Sequence, residues 1–169
     1  MIYVGRIDNG KGCDILFSYF EQYKKEHPES DLKLVLIGKS VIPLPEDSNI
    51  ISLGYLSEID KFDAIMASDF LIMPSKYESL SIALLESFAV KKPVLVNGEC
   101  EVLKAHCLKS GGGLYYLGYH DFCTNLMKLE SDPDYREIMG KKGYAYVINN
   151  YQWDIIIAKL FNAIRYVAG

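Results

Sequence analysis

Six short, largely apolar runs separated by stretches of helical period constrain this chain more than any other feature. Ile2–Val4 stops at Gly5, Leu32–Ile37 at Gly38, Ile50–Leu53 at Gly54 and Phe70–Met73 at Pro74; Pro93–Val96 and Gly113–Tyr115 follow. Runs that are apolar on both alternations, rather than on one, belong to strands covered on both faces. Between them, Cys13–Glu26 reads as a helix with Ile15, Leu16, Tyr19, Phe20 and Tyr23 on one face. Ser57, with Asp60 three residues on, predicts the cap of a helix running to Met66. Leu80–Ala89 and roughly Glu101–His106 predict two more. After Gly118 the pattern is helical over about 120–130, 133–149 and 153–167, with Trp153 expected to seat the last helix and Asp132-Pro133-Asp134 to start the one before it.

Buried strands alternating with helices imply an α/β domain: a Rossmann-like three-layer α/β/α arrangement with a parallel sheet and a helical C-terminus. In such sheets ligands bind beyond the carboxyl ends of the strands. A site is therefore expected in the loops after Val4, Ile37, Leu53, Met73 and Val96.

Length and composition set the outer limits. A chain of 169 residues, half apolar and about a quarter charged, suits one domain with a full core that needs no disulfide or structural metal. The formal net charge of -4 speaks against a nucleic-acid partner, which calls for a basic surface. Cys13, Cys100, Cys107 and Cys123 make no Cys-x-x-Cys pair, and His27, His106 and His120 are scattered, so reduced thiols in a cytoplasmic protein are expected and a metal cluster is not. The first residues carry no basic, apolar leader, and no signal peptide is expected. Because the chain opens directly in a strand, a piece cut at a domain boundary is expected.

Two loops hold residues suited to chemistry. Gly5-Arg6-Ile7-Asp8-Asn9-Gly10-Lys11-Gly12 offers two cations among three glycines. Arginine presents a planar fork to phosphate oxygens and lysine a point charge. The spacing matches neither a P-loop nor Gly-x-Gly-x-x-Gly, and by itself it reads first as a solvated turn with a glycine hinge. The second loop, Pro74 to Ile82, ends a strand and starts a helix, whose first amides lack helical partners and suit a pyrophosphate. Glu78 precedes that helix, where a negative charge is favourable in any case. Glu86 lies inside it, on the order of 8 Å further along the axis, near the span from pyrophosphate to ribose. Leu84, Leu85 and Phe88 make its surroundings look buried, so this carboxylate needs a partner.

Taken in order, Val4-Gly5-Arg6, Lys11-Gly12, Gly54, Ala67-Ser68-Asp69, Pro74-Ser75-Lys76-Tyr77-Glu78, Glu86 and Lys92-Pro93-Val94 resemble the retaining transferases of glycosyltransferase family 4, specifically the carboxy-terminal half of their GT-B fold. The likeness covers about residues 1–130. It implies that Arg6 and Lys11 hold the donor's phosphates, that Glu78 sits by the transferred sugar, and that the amides of Ser81 and Ile82 bind the distal phosphate. It further implies that Glu86 binds ribose and that main chain near Leu56 meets the base; Gly5, lacking a side chain, lets backbone approach a ligand closely. Residues 1–169 would then be a nucleotide-sugar-binding domain, without the amino-terminal domain that holds the acceptor. The implied activity is transfer of a hexose or N-acetylhexosamine from a nucleoside-diphosphate sugar, UDP by family habit, to a growing or lipid-linked glycan in bacterial surface polysaccharide synthesis. No metal or other cofactor is implied. The full protein would be cytoplasmic, at most peripheral on the membrane's cytoplasmic face. A binding module without turnover and another GT-B enzyme, such as a sugar epimerase, are the alternatives. The family often has Glu-Pro-Phe-Gly where this chain has Glu78-Ser79-Leu80-Ser81; losing glycine at 81 narrows the backbone angles open there.

Overall fold

A computed structural model describes residues 1–168. All six predicted strands form: β1 (Ile2–Val4), β2 (Leu34–Ile37), β3 (Ile50–Gly54), β4 (Leu71–Met73), β5 (Val94–Asn97) and β6 (Gly113–Tyr116). They make one parallel sheet in the order β3-β2-β1-β4-β5-β6. The helices are α1 (Cys13–Glu26), α2 (Glu58–Ala67), α3 (Ile82–Ala89), α4 (Glu101–Ser110), α5 (Tyr119–Ser131), α6 (Pro133–Tyr151) and α7 (Trp153–Ala168), with a 3-10 turn over Asn9–Lys11 ahead of α1.

From β1 the chain steps outward through β2 to β3, then returns to the other side of β1 and steps outward again from β4 to β6. Right-handed crossovers made in opposite directions put their helices on opposite faces. Tyr3, Leu34, Leu36, Ile72 and Leu95 point to a core closed by Leu16, Phe17 and Phe20 of α1 and Phe122, Leu126 and Leu129 of α5. Their neighbours Ile2, Val4, Ile37, Leu71, Val94 and Val96 point to a second core under Ile65 of α2, Leu84 and Phe88 of α3 and Leu103 of α4. Each central strand thus buries both alternations, as its unbroken apolar sequence requires. α6 lies close on α3 because it offers glycines there. A Cβ at Gly140 would stand 1.9 Å from the Lys91 carbonyl oxygen, and one at Gly143 would stand 2.4 Å from the Phe88 ring.

Four expectations need correction. β3 is not covered on both faces: it is an edge strand with no helix in the connection from β2, and Ile51 and Leu53 are exposed. On α1 the buried face is Cys13, Leu16, Phe17, Phe20 and Tyr23, and Ile15 is partly exposed; the i, i+3, i+4, i+7 row starts at Cys13 and leaves residue 15 off to the side. α3 begins at Ile82 rather than Leu80, because Ser81 has left-handed angles (φ 62°, ψ 81°) that no α-helix accommodates. Trp153 does not seat α7: it is 77% exposed, and Ile156, Ile157, Leu160, Phe161 and Ile164 also face outward. α1 to α6 already cover both faces of the sheet, which leaves this stripe no core to join. Ser57 and Asp132 do cap α2 and α6, accepting from the amides of Asp60 and Tyr135. Among the described residues no helix is long and apolar enough to cross a membrane.

Candidate functional site

Strand order reverses between β1 and β4, and a crevice opens at their carboxyl ends where the two neighbouring loops diverge to opposite sides. Both loops suspected from the sequence border it. They are locked together at Gly12, whose φ of 73° is left-handed and whose Cβ, were there one, would meet the Pro74 carbonyl oxygen at 2.6 Å. The buried Ser75 hydroxyl donates to the Lys11 carbonyl (3.4 Å), and the Asn97 amide donates to that of Pro74 (3.0 Å). Asp8 caps the 3-10 turn by accepting from the Lys11 amide at 2.7 Å. On this scaffold Lys11 Nζ stands 2.7 Å from Glu78 Oε1, with the glutamate side chain only 12% exposed. The loop after β2 crosses close above: a Cβ on Gly38 would lie 2.0 Å from the Gly5 carbonyl oxygen.

A cavity of about 170 Å³ at the crevice is lined by Gly5, Lys11, Glu78, Ser81 and Ile82 together with Ala83 and neighbouring strand residues. Five residues singled out from the sequence therefore converge on one space. The wall formed by the start of α3 brings amides with no partner inside the helix. Ser81 sits there in a conformation that L-residues rarely adopt, and its buried Oγ has no hydrogen-bond partner. A non-glycine left-handed residue costs about 1–2 kcal/mol, and an orphaned buried hydroxyl about 1–3 kcal/mol. Even after roughly 1 kcal/mol for glycine's larger unfolded-state entropy, Ser81→Gly is expected to raise the unfolding free energy by at least about 1 kcal/mol. Denaturant titration measures this, and an unchanged or lower stability would show that Ser81 is unstrained.

Beyond Gly5 a second cavity, of about 370 Å³, is lined by Arg6, Gly38, Tyr55, Leu56, Glu58 and Lys61. One of its lining residues, Lys61, is the partner that Glu86 requires. That carboxylate is paired with Lys61 Nζ at 2.9 Å, and Lys61 also meets Glu58 at 2.8 Å. Burial works against the charge on Lys61, but the two carboxylates outweigh it and its pKa is raised. Arg6 belongs to this second cavity, not to the space where Lys11 points. Its side chain is 67% exposed and pairs with Asp8; the Lys11 amide, then Arg6, hold the Asp8 carboxyl below the usual range.

Sequence reasoning missed Lys61 and Asp8. Glu86 in an apolar stretch did signal that some cation must face it, but which one depends on how α2 packs on α3. Asp8 was legible as a cap from its place before Asn9-Gly10-Lys11. On the far wall Lys76 and Glu99 pair at 2.6 Å, bringing the loop after β5 to the crevice.

A family model described as glycosyl transferases group 1 matches residues 1–113, from the first strand into β6. Among curated proteins the chain is 23% identical to an uncharacterized glycosyltransferase of Methanocaldococcus jannaschii, over 98% of this chain and 44% of that protein. It is 25% identical to the GDP-mannose-dependent monoacylated alpha-(1-6)-phosphatidylinositol monomannoside mannosyltransferase of Corynebacterium glutamicum, over 92% and 44% respectively. The chain thus spans less than half the length of the curated relatives it matches. Among solved structures, that of S. aureus TarM in complex with Fondaparinux, alpha-GlcNAc-glycerol and UDP superposes with a TM-score of 0.81 at 16% identity, over 95% of this chain and 34% of the other.

Proposed function

The chain belongs to the group 1 glycosyl transferases, and from that membership we propose that it is the donor-binding half of a two-domain GT-B enzyme. In this reading it holds a nucleoside-diphosphate sugar, by preference a UDP-sugar. The full protein moves a hexose or N-acetylhexosamine, with retention, to a growing glycan of a bacterial surface polysaccharide. The acceptor is held by an amino-terminal domain outside these 169 residues, on the cytoplasmic side of the membrane.

The observation that carries the reading is the crevice itself: Lys11, the Glu78 carboxylate 2.7 Å from it and the open amides of α3 face one cavity. A departing nucleoside diphosphate gains negative charge. Fixed cations and helix amides held in place beforehand stabilise it most as the bond breaks. Lys11 and the amides of Ser81 and Ile82 fill that role without a metal, and Arg6 reaches the phosphates from the adjoining cavity. Glu78, neutralised by Lys11 until phosphate arrives, lies beside the transferred sugar. In the second cavity the main chain of Leu56 meets the base. Glu86, steadied by Lys61, accepts from the ribose hydroxyls.

Calorimetric titration of the chain with UDP, GDP and NAD tests this. Weak binding of a nucleoside diphosphate and none of NAD is expected. UDP and GDP are both needed, since relatives use either: TarM was crystallised with UDP, and the Corynebacterium enzyme depends on GDP-mannose. Glu86→Gln is expected to weaken UDP much more than inorganic pyrophosphate, because the carboxylate serves ribose and the amides serve phosphate. An equal loss for both ligands would make Glu86 structural, and no binding of either nucleotide at millimolar concentration would end the proposal.

A further inference from the structure

Roughly 20 Å along α1 from the first loop, by the helical rise, three side chains of metal-ligating type meet on the opposite side of the domain. The sequence spacing gave no hint of this, since His27 and Cys123 are 96 residues apart. Glu26 is the last residue of α1, His27 is its C-cap, and Cys123 comes from α5. One ligand atom from each lies within 4.8 Å of the other two. Successive residues of a continuing helix point about 100° apart. Here His27 leaves the helix (φ -126°, ψ 69°), which lets it converge with Glu26 on one point.

The distances suit a cation. Cys123 Sγ and His27 Nε2 are 3.5 Å apart. Around a tetrahedral zinc with Zn–S near 2.3 Å and Zn–N near 2.0–2.1 Å, sulfur and nitrogen stand about 3.5 Å apart. His27 presents Nε2 because its Nδ1 faces the Glu29 carboxylate at 3.5 Å, the outer-shell arrangement that orients metal-binding imidazoles. Glu26 is held by the Tyr119 hydroxyl (2.6 Å) and the Gln22 side-chain amide (2.9 Å), one on each oxygen, and each oxygen keeps a lone pair. Glu26 is exposed and the other two are half-buried, so a cation can enter from solvent.

We propose that Glu26, His27 and Cys123 form a three-ligand site for a borderline-soft divalent cation, Zn²⁺ by its ligand set, with the fourth position open to water. Thiolate and imidazole select against Mg²⁺ and Ca²⁺, which take oxygen ligands. The site is independent of the donor crevice. Its structural effect is to tie the end of α1 to α5, so saturating metal stabilises the domain by mass action. A plain S–H···N hydrogen bond has the same 3.5 Å separation, and metal titration separates the two.

The test is titration of the untagged chain with Co²⁺, read by thiolate-to-cobalt charge-transfer absorption, followed by displacement with Zn²⁺. One equivalent is expected to bind, with d–d bands of four-coordinate intensity that Zn²⁺ abolishes. Cys123→Ser is expected to lose the charge-transfer band while the buried Cys13, Cys100 and Cys107 remain as internal controls. Glu29→Gln should weaken binding about 10–100-fold. If Cys123→Ser does not fold by circular dichroism, His27→Ala supplies the same comparison, and Zn²⁺ should raise the melting temperature of the unaltered chain but not of His27→Ala. Absence of a charge-transfer band in the unaltered chain, or a band that survives Cys123→Ser unchanged, overturns the site.

Discussion

Replacing Lys11 by alanine is expected to lower the affinity for UDP or GDP by about ten- to a hundredfold, the ~1.5–3 kcal/mol of a charge-assisted contact. Lys11 is the cation lining the cavity at the start of α3: it is two-thirds buried and carried on a capped turn. Fold should survive, since Lys11 is in neither apolar core. Arg6→Ala should cost less, because that side chain is largely solvated and pairs with Asp8 beside the adjoining cavity. Glu78→Gln should act in the opposite direction and tighten diphosphate binding. It removes a negative charge from the proposed phosphate cavity and releases Lys11 from its present partner. Calorimetry on the three variants, with circular dichroism to confirm folding, gives the comparison. Unchanged affinity in Lys11→Ala would remove it from the phosphate site, and weaker binding in Glu78→Gln would show that this carboxylate holds the ligand rather than opposing it.

The larger effect expected is all-or-none: the 169-residue chain transfers no sugar by itself, and activity returns when its native amino-terminal domain is restored. The proposed donor cavity is open and has one wall system, that of the sheet's carboxyl edge. Transfer needs an acceptor hydroxyl placed against the sugar, and orientation of two reactants contributes roughly 7–11 kcal/mol to well-positioned reactions. It also needs water kept out, since water competes as acceptor. A labelled-donor assay on the chain and on the full-length protein, with crude membranes as acceptor, measures both. Robust transfer by the chain alone would put the acceptor site within these residues and overturn the division into donor and acceptor halves.

The sequence made the fold legible because its strongest signals are local. Runs such as Val94–Val96 are apolar on both alternations, which only a strand between two helical layers satisfies. Glycine or proline closes the first four runs at the edge where ligands bind. The same locality exposed Gly5, Lys11, Glu78, Ser81 and Ile82 as candidates, and parallel topology then delivered all five to one cavity. Error entered where the outcome rested on long-range packing. Trp153 has the composition of an anchor, but the sheet's faces are already full, so α7 carries its apolar stripe outward.

By itself, then, the sequence determined the strand and helix order, the parallel sheet and the loops that border the crevice. Each of these follows from periodicity, capping and chain direction. Tertiary structure alone decided who partners whom: Lys11 with Glu78 across 67 residues, Lys61 with Glu86 across 25, and Cys123 with His27 across 96. It also decided that Arg6 and Lys11, five residues apart, serve different cavities. Charge and hydrogen-bonding capacity are written in each residue. The neighbour that satisfies them depends on helix packing to within an ångström or so, and nothing local in the chain encodes that distance.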